Sequence, residues 1–189
     1  MASDYLDSVR KQFEYYKTLG DKTIAAVPEE GLAWQYNEES NSIVTIVKHL
    51  HGNMLSRWND FLTTDGEKEW RNRDGEFEND IRTKEQLLTL WSEGWACFFK
   101  ALNELTEEDL SKTVYIRNMG QTVTDAINRQ LAHYPYHIGQ IVFLGKMICN
   151  ENWVSLSIPR GKSQSYNTDK FSKPKHIEHF TDAVLKDKK

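Results

Sequence analysis

The sequence predicts an all-α protein built as a four-helix bundle. Apolar residues recur at three- and four-residue steps through four long stretches, the one strand-like pattern is confined to residues 113–124, and 189 residues suit one domain with one core. The helical core is expected over 4–150 and a C-terminal extension over 151–189, with no internal repeat along the way.

The first helix is expected over 4–27, with Tyr5, Val9, Phe13, Tyr16, Leu19, Ile24 and Val27 on one stripe and Pro28 closing it. Gly20 is a point of weakness or bending in it. A Glu- and Asn-rich loop over 29–41 leads to Ser42, which caps a second helix reaching about Leu62 and carrying Ile43, Ile46, Val47, Leu50, Met54, Trp58 and Phe61. Residues 63–82 are dense in charge and glycine and read as a long ordered loop, a feature often tied to function. Thr83 with Gln86 forms a capping-box start for the third helix, to about Leu105. A capped turn at 106–110 and a short hairpin or extended connection at 113–124 precede the fourth helix, over 124–148. Its stripe is Ile127, Leu131, Tyr134, Ile138, Ile141, Val142, Gly145 and Ile148. The segment 155–172 is polar, and 175–185 is a short helix expected to dock on the bundle or on a second subunit.

Acidic residues number 28 against 24 basic ones, and the net charge of -4 comes without any long Lys/Arg run. Nucleic acid is therefore not the expected partner, because phosphate neutralisation needs concentrated positive charge. Lys186, Lys188 and Lys189 read as a solvated tail. No apolar run reaches the roughly 18 residues of a membrane helix and Met1 to Leu19 lacks the apolar stretch of a signal peptide, which points to the cytoplasm and away from the membrane. Cys97 and Cys149 lie in apolar surroundings that suit reduced, buried thiols. Six tryptophans in a chain that is 12% aromatic predict a bulky core, and this surplus together with the tail suggests a homodimer.

Chemistry concentrates in the histidines. His133 and His137 stand four apart on one helix, so both rings share a face, and a third histidine from a neighbouring helix would complete an open three-nitrogen metal site. At roughly 100° per residue, His133, His137 and His49 fall to one side of their apolar stripes, whereas His51 lies nearer a stripe centre. Periodicity thus makes His51 the more buried candidate and leaves the third ligand open. The same pattern suits histidines that only bond a backbone carbonyl. His176 and His179, three apart in the tail, suit a solvated face.

The segment Val47-Lys48-His49-Leu50 and the run His133-Tyr134-Pro135-Tyr136-His137-Ile138-Gly139-Gln140-Ile141 resemble the paired motifs of the DinB/YfiT-like superfamily of metal-dependent four-helix proteins. Ser157-Ile158-Pro159-Arg160-Gly161 resembles a segment of one bacterial subfamily of unknown function, and the likeness extends from the first helix to about Asn167. The resemblance implies an up-down-down-up bundle and a divalent metal held by His49, His133 and His137, thereby choosing His49 over His51. Pro135 departs from the motif and is expected to bend the helix and unsettle the aim of His133.

Zinc or nickel suits three imidazoles, and such an ion keeps its full charge as a Lewis acid. Asn53 and Gln140 are candidate supports for the ligands. Characterised branches of the superfamily use a low-molecular-weight thiol such as bacillithiol, mycothiol or glutathione for S-transfer or isomerisation. A thiol bearing carboxylates, acting on a small electrophilic substrate, would need cations, for which Arg57, Arg71, Arg73 and Arg160 are candidates. The alternatives are a metal-dependent hydrolase, disfavoured by the lack of a carboxylate motif beside the histidines, and a stress-associated dimer that binds metal or a small ligand without turnover.

Overall fold

The computed structural model describes residues 4–186, so Lys188 and Lys189 of the tail lie outside the described residues. The described chain is mostly helical, with six helices and one two-stranded sheet. Helix α1 (Asp4–Ala26) buries Leu6, Val9, Phe13 and Ile24. Gly20 neither breaks it nor ends it: a Cβ there would lie 2.5 Å from the Trp91 ring, so the missing side chain is what lets α3 approach.

Helix α2 (Ile43–Trp58) starts at a capping box in which Ser42 and Thr45 bond each other's backbone N–H. It stops four residues short of the expected Leu62, because Asn59 is extended and Asp60 turns left-handed at φ 51°. Helix α3 (Lys84–Glu104) begins at the expected Thr83–Gln86 box. Strands β1 (Thr113–Ile116) and β2 (Met119–Thr122) pair antiparallel, and Arg117 and Asn118, both at positive φ, form the two-residue turn that suits the twist of a hairpin. Thr122, the last residue of β2, caps helix α4 (Val123–Cys149) through Asp125. The helix runs unbroken through Pro135.

Helices α1 and α4 pack along each other, as do α2 and α3, and contacts of α2 with α4 and of α1 with α3 join the two pairs. One apolar cluster fills the space between them. Its centre is aromatic: Phe13, Trp95, Phe98 and Tyr134 meet with ring centroids 4.5–6.0 Å apart, mostly edge to face. Both cysteines are free thiols. Cys149 is buried, and Cys97 is half-buried, with burial raising its thiol pKa.

The long loop after α2 is folded tightly onto the hairpin and α2. Asp65 accepts hydrogen bonds from the backbone N–H of Glu67, Arg117 and Asn118, and Gly66 donates to the Tyr115 carbonyl at 2.8 Å. Ser56 and Arg57 of α2 both donate to the Gly66 carbonyl. Farther on, a single 3-10 turn at Asp74–Phe77 lies against α2.

After α4 the chain differs from expectation in two places. The polar segment contains helix α5 (Ser163–Phe171), and the tail helix shrinks to α6 (Asp182–Lys186). That tail docks on α1, where Lys11 pairs with Asp182 at 2.8 Å and Ser8 meets His179 Nε2 at 3.1 Å. His179 is therefore engaged with the protein surface, while His176 is exposed. No helix among the described residues is long and apolar enough to cross a membrane.

Candidate metal centre

His49 comes from the middle of α2, and His133 and His137 come from successive turns of α4. Their Nε2 atoms converge: His133 Nε2 lies 3.2 Å from His49 Nε2 and 3.1 Å from His137 Nε2. One ligand atom from each ring lies within 4.8 Å of the others. Pro135 does not turn His133 away, since its ring nitrogen sits between the other two. Around a tetrahedral ion bonded at about 2.0–2.1 Å, nitrogen ligands stand about 3.3 Å apart, close to the two shorter separations here.

Each ring is oriented from behind by an oxygen. His133 Nδ1 faces Gln130 Oε1 at 3.1 Å, His137 Nδ1 faces Gln140 Oε1 at 2.9 Å, and His49 Nδ1 faces Glu76 Oε2 at 3.0 Å. An acceptor at every Nδ1 places the ring N–H there, which leaves three Nε2 lone pairs aimed at one another. Three such lone pairs repel unless a cation lies between them. The donor set therefore fits a divalent metal ion.

Electrostatics agrees with the geometry. Burial, with His137 and His49 alongside, pushes the His133 pKa down to about 3. Burial also lowers His137, against a raising contribution from its bond to Gln140. Both rings are thus neutral near pH 7, the form that ligates metal. Glu76 is itself buried, and burial works against its ionisation, but hydrogen bonds from His49 and Arg71 prevail and hold its carboxyl below the ordinary value.

The remaining candidates separate cleanly. His51 lies outside the cluster and bonds Glu93 of α3 at 3.2 Å. Its side chain is 18% exposed against 13% for His49, so the burial order inferred from periodicity is reversed. Asn53 does not support a ligand ring: its Oδ1 accepts from the buried Tyr134 hydroxyl at 3.1 Å. Gln140 does face one, its Oε1 lying 2.9 Å from His137 Nδ1. Arg57 is committed to Gly66 and Glu67, and Arg71 forks onto both oxygens of Glu76 at 2.8 and 3.1 Å. Arg73 is exposed and lies over the Phe77 ring, 5.5 Å from its centroid. Arg160 is exposed in the segment after α4 and joins none of the contacts of the cluster.

Glu76 and Gln130 were not visible as site residues in the sequence. Gln130 had a usable signal, because it stands three residues before His133 as Gln140 stands three after His137. Glu76 had none of its own, being one acidic residue among many in a charged loop.

Two exposed aromatic rings flank the cluster. Phe77 stacks near His49, with centroids 6.2 Å apart, and Tyr136 meets His137 edge to face at 5.0 Å. Beside them, Tyr136 and Gln140 line a groove of about 780 Å³ whose apolar wall includes Tyr36, Ile46, Phe143 and Met147. The site therefore has room for a small molecule next to the histidines. No curated protein and no solved structure matches the chain. Its family is nevertheless shown: the chain belongs to the family described as protein of unknown function (DUF1572), whose model matches residues 1–162.

Proposed function

We propose that the protein is a divalent-metal-dependent enzyme of the DinB/YfiT-like type, a four-helix bundle that transfers a low-molecular-weight thiol to a small electrophile. The observation that carries this reading is the convergence of three Nε2 atoms from His49, His133 and His137, each ring held from behind by an oxygen acceptor. The pairing of α1 with α4 and of α2 with α3 supports the bundle. Zinc or nickel suits the all-nitrogen set.

A divalent ion bound there supplies Lewis acidity and lowers the pKa of a bound water or thiol. The chain's own residues do the rest. Gln130, Gln140 and Glu76 fix the tautomers, so the rings present lone pairs without rearrangement. In the transfer, the thiol sulfur bonds to an electrophilic carbon, a leaving group departs from that carbon, and the thiol proton passes to solvent.

Arg73, over Phe77, is an exposed cation available to a carboxylate-bearing thiol; Arg57 and Arg71 are already committed. The groove bordered by Tyr136 and Phe143 suits the apolar part of an electrophile. Hydrolysis is the weaker reading, because both oxygens of Glu76 are engaged by His49 and Arg71 and it is not free to act as a base. We extend the proposal to a cytoplasmic homodimer.

The test is metal content by mass spectrometry on protein purified without an affinity tag, for wild type and for His49→Ala, His51→Ala and His133→Ala. Near-stoichiometric metal, lost in the first and third variants and kept in the second, is expected. Thiol and electrophile pairs are then screened with and without metal, and turnover that needs both supports S-transfer. Absence of metal after zinc and nickel are supplied would overturn the reading, and metal without turnover would leave the non-catalytic binding protein.

A further inference from the structure

Gly52 stands in the interior of α2, three residues after His49, where helix propensity favours almost any other residue. A Cβ there would collide with the carboxylate of Glu76. That carboxylate arrives from the 3-10 turn of the long loop, is gripped by Arg71 through both oxygens, and faces His49 Nδ1 at 3.0 Å. The glycine vacates the seat in which the loop's carboxylate reaches the histidine.

The three Nδ1 partners are unequal. Gln130 and Gln140 are neutral amides one turn away on α4 itself, whereas Glu76 is a buried carboxylate paired with Arg71 and delivered from outside the helices. A carboxylate accepting the Nδ1–H raises the donor strength of Nε2 and fixes the ring plane more firmly than an amide does. Resting on the three-histidine reading above, we propose that Glu76 is a positioning residue for His49. Seated by Gly52 and clamped by Arg71, it lets the long loop set the affinity of the centre for divalent cations.

Two substitutions separate this role from simple bracing of the loop. Glu76→Gln removes the charge but keeps the size, and Gly52→Ala leaves every ligand and every ring partner chemically intact while displacing the flexible end of Glu76. Apo protein is titrated with zinc against a chromophoric chelator, and cobalt(II) is bound in parallel so that its ligand-field absorption reports the arrangement of the three rings. Both variants should bind zinc about 10- to 100-fold more weakly than wild type. Both should also shift the cobalt spectrum. Apo Gly52→Ala should melt somewhat below wild type, because displacing Glu76 from its buried pair with Arg71 outweighs the gain in helix propensity, but its helix content should be unchanged, so weaker zinc binding by the folded variant reports the seat of Glu76.

Wild-type binding with both variants within twofold of it and an unchanged cobalt spectrum would overturn the role of Glu76 while leaving the three-histidine centre standing. A wild type that binds neither ion overturns the centre, and this inference with it.

Discussion

Tyr134 lies between the two α4 histidines in sequence, is fully buried, and links α4 to α2 through its hydroxyl. The oxygen accepts from Trp58 Nε1 at 2.9 Å and donates to Asn53 Oδ1 at 3.1 Å. Both partners are buried as well, at 3% and 7% exposure, so neither can turn to water. Tyr134→Phe deletes the oxygen and strands an indole N–H and an amide oxygen. A buried polar group left without its partner costs about 1–3 kcal/mol. Since the two stranded groups border the same small void and one can partly satisfy the other, the expected loss is about 2–3 kcal/mol. For a chain of this length that corresponds to a melting temperature lower by about 4–12 °C. Urea unfolding followed by tryptophan fluorescence and by far-ultraviolet circular dichroism gives the value directly. Metal content should not change, because none of the three rings uses this hydroxyl. A loss below about 0.5 kcal/mol would refute the assignment of the network as a stabilising bridge between α2 and α4.

Three further outcomes are expected. Gly20→Ala places a methyl against a Trp91 ring that its 2.6 Å bond to Asp21 holds in position, so overpacking should outweigh the gain in helix propensity and cost about 1–2 kcal/mol in denaturant unfolding. Gln130→Leu removes the acceptor behind His133 and should weaken zinc binding about tenfold in a chelator competition without changing helix content. Asp109 is held at a pKa of about 2 by Lys112 and then by the backbone and hydroxyl of Thr106, below the ordinary carboxylate value, so it stabilises the fold above about pH 4 and loses that contribution as pH falls toward 2. Asp109→Asn should flatten that acid limb in a series of unfolding curves.

Elements whose cues are local were legible in the sequence. The Ser42 and Thr83 caps, the apolar stripes and Pro28 place the starts of α2 and α3 and the end of α1 close to where the structure has them. The end of α2 was misplaced because Phe61 and Leu62 continue the apolar spacing, while the break at Asn59 and Asp60 is dictated by the loop returning to the hairpin. Within the site, spacing alone put His133 and His137 on one face of α4, and their use as ligands came from the resemblance. The choice of His49 over His51 could not come from spacing, because it depends on how α2 is rotated against α4, and that rotation is set by the whole core. Asn53 was assigned to the wrong neighbour for a related reason: only the packed Tyr134 shows where its amide points. Glu76 lay beyond reach, since its placement depends on a loop contact with an empty space on another element, although a glycine inside a helix was the trace it left.

The partnership of α1 with α4 has a consequence for biosynthesis. The apolar face of α1, with Leu6, Val9, Phe13 and Ile24, finds its main partner in a helix that ends at Cys149. At 5–20 residues per second, α1 leaves the ribosome roughly 6–25 s before α4 is complete. During that interval α2 and α3 can already pair with each other, joined by the long loop between them. The nascent chain thus carries an exposed amphipathic helix beside a half-formed core until α4 arrives. This is the interval in which chaperone capture or aggregation competes with folding, and α4, which closes the core, brings two of the three histidines with it.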